Sequence, residues 1–296
     1  MAPATLHLAP ATLRPTMSNK NEATPIAISF RDRHVVEPGS HVDLSKIDAA
    51  DAAGLEKGEQ VERELQRLRA ELDDLQERFY AWDKRSLLIV LQAMDTGGKD
   101  GAIAHVMQGV NPQGMAVTSF KAPTPEELSH DFLWRIHKAV PARRMIGVFN
   151  RSHYEDVLVV RVHNLVPDDV WRRRYDEINQ FERFLADSGT VILKFYLHIS
   201  KEEQAKRLQE RLDNPDKTWK FALGDLKERE LWNNYMEAYQ EALTKCSTEH
   251  APWYVIPANR NWYRNLAITS ILVGTLKELN PIYPKPDPSL KNIVVS

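Results

Sequence analysis

LLIVLQ at Leu87–Gln92 runs without a break into AMDTGGKDG at Ala93–Gly101. A short apolar run of this length, bounded by charged residues before and glycines after, reads as a strand buried on both faces, the habit of parallel sheets. The turn after it comes close to the phosphate-loop pattern G-x-x-x-x-G-K-[ST], with a helix expected to follow. Ala93 stands at the first glycine position and Asp100 at the Ser/Thr position. The physics of the motif survives both changes. Gly97 and Gly98 let backbone N–H groups turn inward around phosphate oxygens, and the helix N-terminus adds a partial positive charge. Lys99 is placed to reach terminal phosphates. The hydroxyl that normally touches Mg²⁺ is missing, and Asp95 and Asp100 offer carboxylates in its place, which suits a hard cation. Gly97, Gly98, Lys99, Asp100 and Gly101 are therefore the candidate phosphate-binding residues of the loop. The competing reading is a plain strand-to-helix turn; a buried strand before the glycines and a lysine after them favour phosphate.

Outward from the loop, strands and helices alternate. Strands are expected at Ala116–Phe120, Met145–Phe149, Val191–Ile199 and Trp253–Ile256. Helices are expected at Ala102–Val110, Pro125–Lys138, Asp168–Leu185 and Leu266–Leu279, with one more opened by a Ser200/Glu203 capping box. This alternation implies an α/β fold: a parallel sheet of about five strands with right-handed crossovers and helices on both faces. Upstream, Val61, Leu65, Leu68, Leu72, Leu75, Phe79 and Trp82 recur at spacings of four and three, an amphipathic helix with a period of seven. It packs on its own domain or against a second subunit.

The strand ending at Phe149 leads into Asn150-Arg151-Ser152-His153-Tyr154-Glu155-Asp156. An apolar strand ending in an acid is the usual arrangement for orienting Mg²⁺ in such sites. Here the first position is Asn150, neutral but able to hydrogen-bond a metal-bound water. Arg151 is placed to clamp a phosphate bidentately. Glu155, and less directly Asp156, can restore the negative charge, or both can simply cap the next helix. Asp95, Asn150 and Glu155 are the candidate metal ligands.

The 296 residues carry 39 Lys+Arg and 41 Asp+Glu, a net charge of −2, with 43% hydrophobic residues. That excludes a disordered chain, and no apolar run is long enough to span a bilayer. A near-zero net charge argues against general nucleic-acid binding. The single cysteine, Cys246, allows no internal disulfide and no cysteine-based zinc site, which points to a reducing, cytoplasmic compartment. Residues 1–25 are rich in Ala, Pro and Thr and lack a signal-peptide core, so a disordered extension is expected there, its first sixteen residues an extension or a mis-called start without a structural role, with 26–296 as one domain. Residues 30–55 are expected as an extended arm on the core.

MDTGGKDG at 94–101 together with FNRSHYEDV at 149–157 resembles the family-2 polyphosphate kinases. WKF at 219–221, DLKERE at 225–230 and APWYVIPA at 251–258 fit the same family, and the resemblance runs from about Phe30 to Leu279. It implies a P-loop kinase fold similar to thymidylate kinase, dependence on Mg²⁺ (or Mn²⁺ in its place), and phosphate exchange between inorganic polyphosphate and nucleotides. It also places the loop aspartate at Asp95, the loop lysine at Lys99, the arginine after the third strand at Arg151 and a lid arginine at Arg211. Many members carry Asp where this chain has Asn150. The Asn form followed by SHYED resembles the subgroup that phosphorylates both nucleoside mono- and diphosphates.

The lid implied by the resemblance falls at about 201–230, where Lys206, Arg207, Arg211, Lys217, Lys220, Lys227 and Arg229 gather. Asn214-Pro215-Asp216 breaks the helix into a hairpin. The bland reading is a solvated helix with i,i+4 pairs such as Glu203–Arg207; a kinase instead needs a mobile cationic lid that closes on phosphates. Arg207, Lys217 and Lys220 join the phosphate-binding candidates, Asp95, Lys99, Arg151 and Arg211 are the catalytic ones, and Trp219 and Phe221 are expected to anchor the lid base. The expected reaction is reversible Mg²⁺-dependent transfer from polyphosphate to AMP and ADP, or to GMP and GDP. The rivals are an ATP-dependent nucleoside monophosphate kinase and a non-catalytic P-loop nucleotide-binding protein. A homodimer or homotetramer is expected, with no nucleic-acid or membrane partner.

Overall fold

β1 (Ser86–Gln92) lies in the middle of the sheet in the computed structural model, which describes residues 26–295. Every residue of β1 is buried. β2 (Met115–Ser119), β3 (Ile146–Asn150), β4 (Thr190–His198) and β5 (Trp253–Pro257) complete five parallel strands in the order β2-β3-β1-β4-β5. The strands agree with the sequence reading to within one residue at each end. Register fixes the functional geometry: Leu91 of β1 lies opposite Asn150 of β3, so the loops leaving those two strands emerge side by side. Crevices at the carboxyl ends of parallel strands are where such sheets bind ligands.

Eleven α-helices are described: α1 (Phe30–His34), α2 (Glu59–Trp82), α3 (Lys99–Val106), α4 (Pro125–Leu128), α5 (Trp134–His137) and α6 (Val159–Val162), then α7 (Asp168–Asp187), α8 (Lys201–Asp213), α9 (Leu223–Glu230), α10 (Trp232–Cys246) and α11 (Asn261–Leu279). α11 packs against α2 and α3, while α7 packs on β4 and α10. The heptad seam of α2 is spent inside the chain: Val61, Leu68, Leu72, Leu75 and Phe79 are buried in the core. The own-domain alternative therefore holds for these five, while Leu65 and Trp82 of the same seam are half-buried. The arm over 30–55 lies on the core as expected, with α1 against α11 and Val36 N donating to Trp253 O. It is not fully extended, because α1 and a single 3₁₀ turn at Leu44–Lys46 interrupt it.

Other expectations are corrected. The helix over 125–138 is two single turns, α4 and α5; Asp131 accepts from Leu133 N at 3.0 Å, a local turn bond that competes with helix. α3 stops at Val106 rather than Val110, and Gly109 beyond it takes φ +93. Half of the capping box at Ser200 forms. Glu203 N donates to Ser200 Oγ at 3.1 Å, but Ser200 N donates to Asn259 Oδ1 and the Glu203 carboxylate turns to Arg207. α10 has no counterpart in the sequence reading. The expected extension at 1–25 lies outside the described residues. Among the described residues, no helix is long and apolar enough to cross a membrane.

Candidate active site

β1 ends at Gln92, and the chain folds back on itself before α3 begins at Lys99. Gly97 has no room for a side chain: a Cβ there would lie 2.4 Å from Ala93 Cβ and 2.8 Å from Met94 O. The alanine at the motif's first position is therefore accommodated by the glycine at its fifth. Thr96, a β-branched residue, is held at φ +62, strain of about 1–3 kcal/mol that the surrounding loop must over-determine. Lys99 reaches back over the loop and donates to Ala93 O at 3.0 Å. Burial and the neighbouring Arg151 push the Lys99 ammonium down to about 8, against the pull of Asp95. An incoming phosphate would restore its full charge. Gly97→Ala should displace the cradle by a large fraction of an ångström and cost on the order of 10²-fold in turnover, checked by steady-state kinetics on a variant with an unchanged melting profile.

Arg151 takes φ +62 immediately after β3, and its backbone N donates to Leu91 O, which ties the two strand ends together. Its guanidinium donates to Asp95 Oδ1 at 2.7 Å and to Glu155 Oε2 at 3.4 Å. The expected phosphate clamp is thus drawn to the loop by Asp95 and backed by Glu155. Asn150 donates to Asp100 Oδ1 at 2.7 Å, joining β3 to the first turn of α3. Of the two acids after β3, Glu155 is the one that pairs with Arg151. Expected as a metal ligand, it instead sits behind Arg151 and does not line the cleft. Asp156 turns away to Arg174, and burial raises its carboxyl to about 6 in spite of that arginine.

Above the loop, α8 and α9 form the expected hairpin. A cleft of about 1050 Å³ is lined from the lid by Lys206, Arg207, Arg211, Lys217 and Lys220, and from below by Asp95 to Gly101, Asn150 and Arg151. Lys227 and Arg229 do not line it. Arg211 donates to Lys220 O at 2.9 Å and faces Asp225 at 3.6 Å, so it braces the hairpin in this state. Arg207 forms the i,i+4 pair with Glu203, yet it also donates to Thr96 O at 3.0 Å and to Ala258 O at 2.6 Å. It is fastened to the phosphate loop rather than solvated. Trp219 is not an anchor: it is 76% exposed at the lid tip beside Lys220, whereas Phe221 is half-buried. The sequence reading also missed Arg264, a buried arginine of α11 that reaches the cleft.

Among the described residues, no three His, Cys, Asp or Glu side chains converge into a protein cage for a cation. Mg²⁺ does not require one, since it keeps several waters and binds through one or two carboxylates plus substrate phosphates. Asp95, Asp100 and the Asn150 carboxamide, all on the cleft wall, are the oxygens that suit it.

A phosphate cradle facing a cationic hairpin is the geometry of a phosphoryl-transfer enzyme. The model of the polyphosphate kinase 2 family matches residues 55–283. The chain belongs to that family. It is a polyphosphate kinase with the α/β P-loop kinase fold. Among its relatives is the AMP/ADP-polyphosphate phosphotransferase of Meiothermus ruber, 54% identical over 264 residues, 89% of this chain and 99% of the relative. The ADP-polyphosphate phosphotransferase of Rhodopseudomonas palustris is 42% identical over 86% of this chain and 92% of its own. The crystal structure of polyphosphate kinase 2 from Arthrobacter aurescens superposes with a TM-score of 0.85 at 46% identity, covering 90% of this chain and 95% of that one.

Proposed function

We propose that this polyphosphate kinase passes the terminal phosphate of inorganic polyphosphate to AMP and then to ADP, or to GMP and GDP, reversibly and with Mg²⁺ or Mn²⁺. The observation that carries the reading is that one cleft is walled by cations from both sides, Lys99 and Arg151 below and Arg211, Lys217 and Lys220 above. Use of both mono- and diphosphates is supported by the likeness to the M. ruber protein. A cytoplasmic setting is supported by the lone, buried Cys246. A dimer or tetramer is supported by the open sheet edge, where Val117 of β2 is 48% exposed; light scattering giving only monomer at micromolar concentration would count against it.

The work of this chain is positioning and charge neutralisation, because a loose phosphoryl-transfer transition state asks for little else. Asp95 orients Arg151 across the loop, and Lys99 and Arg151 face the group being transferred. Closure of the hairpin would release Arg211 from Asp225 onto that group and exclude water. No general base is needed, since the attacking nucleotide phosphate is already ionised. Mg²⁺, when bound at Asp95, Asp100 and Asn150, would offset the phosphate charge.

Supplying polyphosphate, Mg²⁺ and AMP should yield ADP and then ATP. If ATP phosphorylates AMP while polyphosphate gives nothing, the protein is a nucleoside monophosphate kinase; if neither donor works, it is a nucleotide-binding protein. The lid carries a second expectation. Polyphosphate is a dense polyanion whose binding displaces counterions, by analogy with nucleic-acid backbones. Neutralising Lys217 and Lys220 should raise its KM and flatten the salt dependence, with little change in the nucleotide KM. Equal salt slopes in wild type and variant would remove both lysines from the track. Arg211→Ala should lower kcat by on the order of 10²-fold, because its contact forms on closure.

A further inference from the structure

Arg264 lies in the first turn of α11 and is only 2% exposed. Among the described residues, no carboxylate comes within ion-pair distance of it. Its donors end on neutral amides: Nη1 on Asn261 Oδ1 at 2.8 Å, Nε and Nη2 on Asn265 Oδ1 at 3.1 and 2.8 Å. Nη1 is pressed against Gly98 of the phosphate loop, where a Cβ would meet it at 2.2 Å. The Nη1 of Arg207 lies 3.5 Å from the same point. Gly98 is thus required for two reasons, its φ of +94 and the guanidinium that occupies the space a side chain would take. Two guanidinium groups converge on one glycine. The Asn261 Oδ1 lies between them, 2.8 Å from Arg264 and 3.5 Å from Arg207. Glu203 is the carboxylate paired with the two, through Arg207.

A buried charge without a counterion is costly. Burial and Arg207 together push the Arg264 guanidinium down to about 10. The arrangement is what an anion seat looks like before its anion arrives, and both arginines line the cleft. The seat lies beside β1 on the α11 side, whereas Ser119, Phe120 and Lys121 line the cleft on the β2 side.

We propose that Arg264 and Arg207 form a second phosphate seat that holds a non-transferred phosphate of the donor chain, next to the phosphate gripped by the loop. This rests on polyphosphate being the donor. A chain of linked phosphates can occupy the loop and the seat together, and a nucleoside monophosphate has a single phosphate to offer. A nucleoside triphosphate shares the phosphoanhydride chemistry, so the test carries an arm for each source.

Thermal unfolding is measured with inorganic tripolyphosphate, with ATP and with AMP, for wild type, Arg264→Gln and Asn261→Asp. Tripolyphosphate should raise the wild-type Tm, and Arg264→Gln should lose most of that rise while keeping the AMP shift. Asn261→Asp places a carboxylate between the two guanidiniums, at a helix start where an acid is favoured. It should raise the Tm of the free protein and yet abolish most of the tripolyphosphate shift, a combination that a purely structural arginine would not produce. In turnover, both variants should raise the KM for tripolyphosphate at least tenfold, with the AMP KM within twofold. Unchanged tripolyphosphate shifts in both variants overturn the seat. A shift lost for ATP and kept for tripolyphosphate overturns the assignment to the inorganic chain. Should wild type fail to use polyphosphate at all, the proposed reaction fails, while the unfolding shifts still judge the seat by themselves.

Discussion

Lys99→Ala should lower kcat by on the order of 10²- to 10³-fold and leave the protein folded. The ammonium is half-buried at the start of α3 and anchored on Ala93 O at 3.0 Å. It is therefore held in place before any phosphate arrives, and a preorganised charge needs no reorganisation during the reaction. Its loss removes no core contact, because the loop's shape rests on Gly97, Gly98 and the Arg207 bond to Thr96 O. Asp95→Ala should cost about as much by a different route. Without Asp95, Arg151 keeps only the 3.4 Å contact with Glu155 and is drawn back from the loop. The check is kcat and KM for each variant beside its thermal melt. Near-normal turnover with an intact melt would make the loop a structural turn. Lys99→Arg separates charge from reach: a wider head cannot occupy the same place against Ala93 O, so rescue should be partial.

The sheet and the loop were legible because their signals are local. Five apolar runs became five strands, and LLIVLQ before the paired glycines located the cradle. Local turn chemistry misled where it competes with helix, as at Asp131 within 125–138. The Ser200/Glu203 pattern was half right, since a tertiary partner, Arg207, captured the Glu203 side chain. α10 was missed although Trp232, Tyr235, Tyr239 and Leu243 bury at helical spacing, because its aromatic and amide residues carry weak helix propensity. Trp219, expected with Phe221 at the lid base, is exposed instead, with its indole N–H donating to Asp216 O within the hairpin turn. Arg264 did leave a trace: from His250 to Lys277 there is no Asp or Glu, so an arginine in that stretch has no local partner. What no spacing could show is that it would meet Arg207 over Gly98, a contact made across the sheet's helical layers.

Lys194→Met should cost about 3–5 kcal/mol of stability, the usual penalty for breaking a buried pair from one side. Lys194 of β4 and Glu182 of α7 are both fully buried, with Nζ 2.5 Å from Oε2. Lys194 also donates to Tyr154 OH at 2.8 Å and to Cys246 O at 2.6 Å. Tyr154 OH in turn donates to Glu182 Oε1 at 2.9 Å, and His153 Nε2 lies 3.1 Å from that oxygen. Burial works against the Glu182 charge, yet Lys194 and His153 hold its carboxyl below the ordinary range. His153 and Tyr154 belong to the SHYED segment, two and three residues after Arg151. The network is therefore the foundation on which Arg151 and Glu155 stand. Lys194→Met/Glu182→Leu, which removes both charges, should recover much of the lost stability, since an apolar replacement of a buried pair is close to neutral. It should not recover full activity, because Tyr154 and His153 lose the carboxylate that fixes them and Arg151 loses its aim at the loop. Urea unfolding measures the first expectation and kcat the second. A double variant as unstable as Lys194→Met, or one with wild-type turnover, would show that the buried pair does not set the position of Arg151.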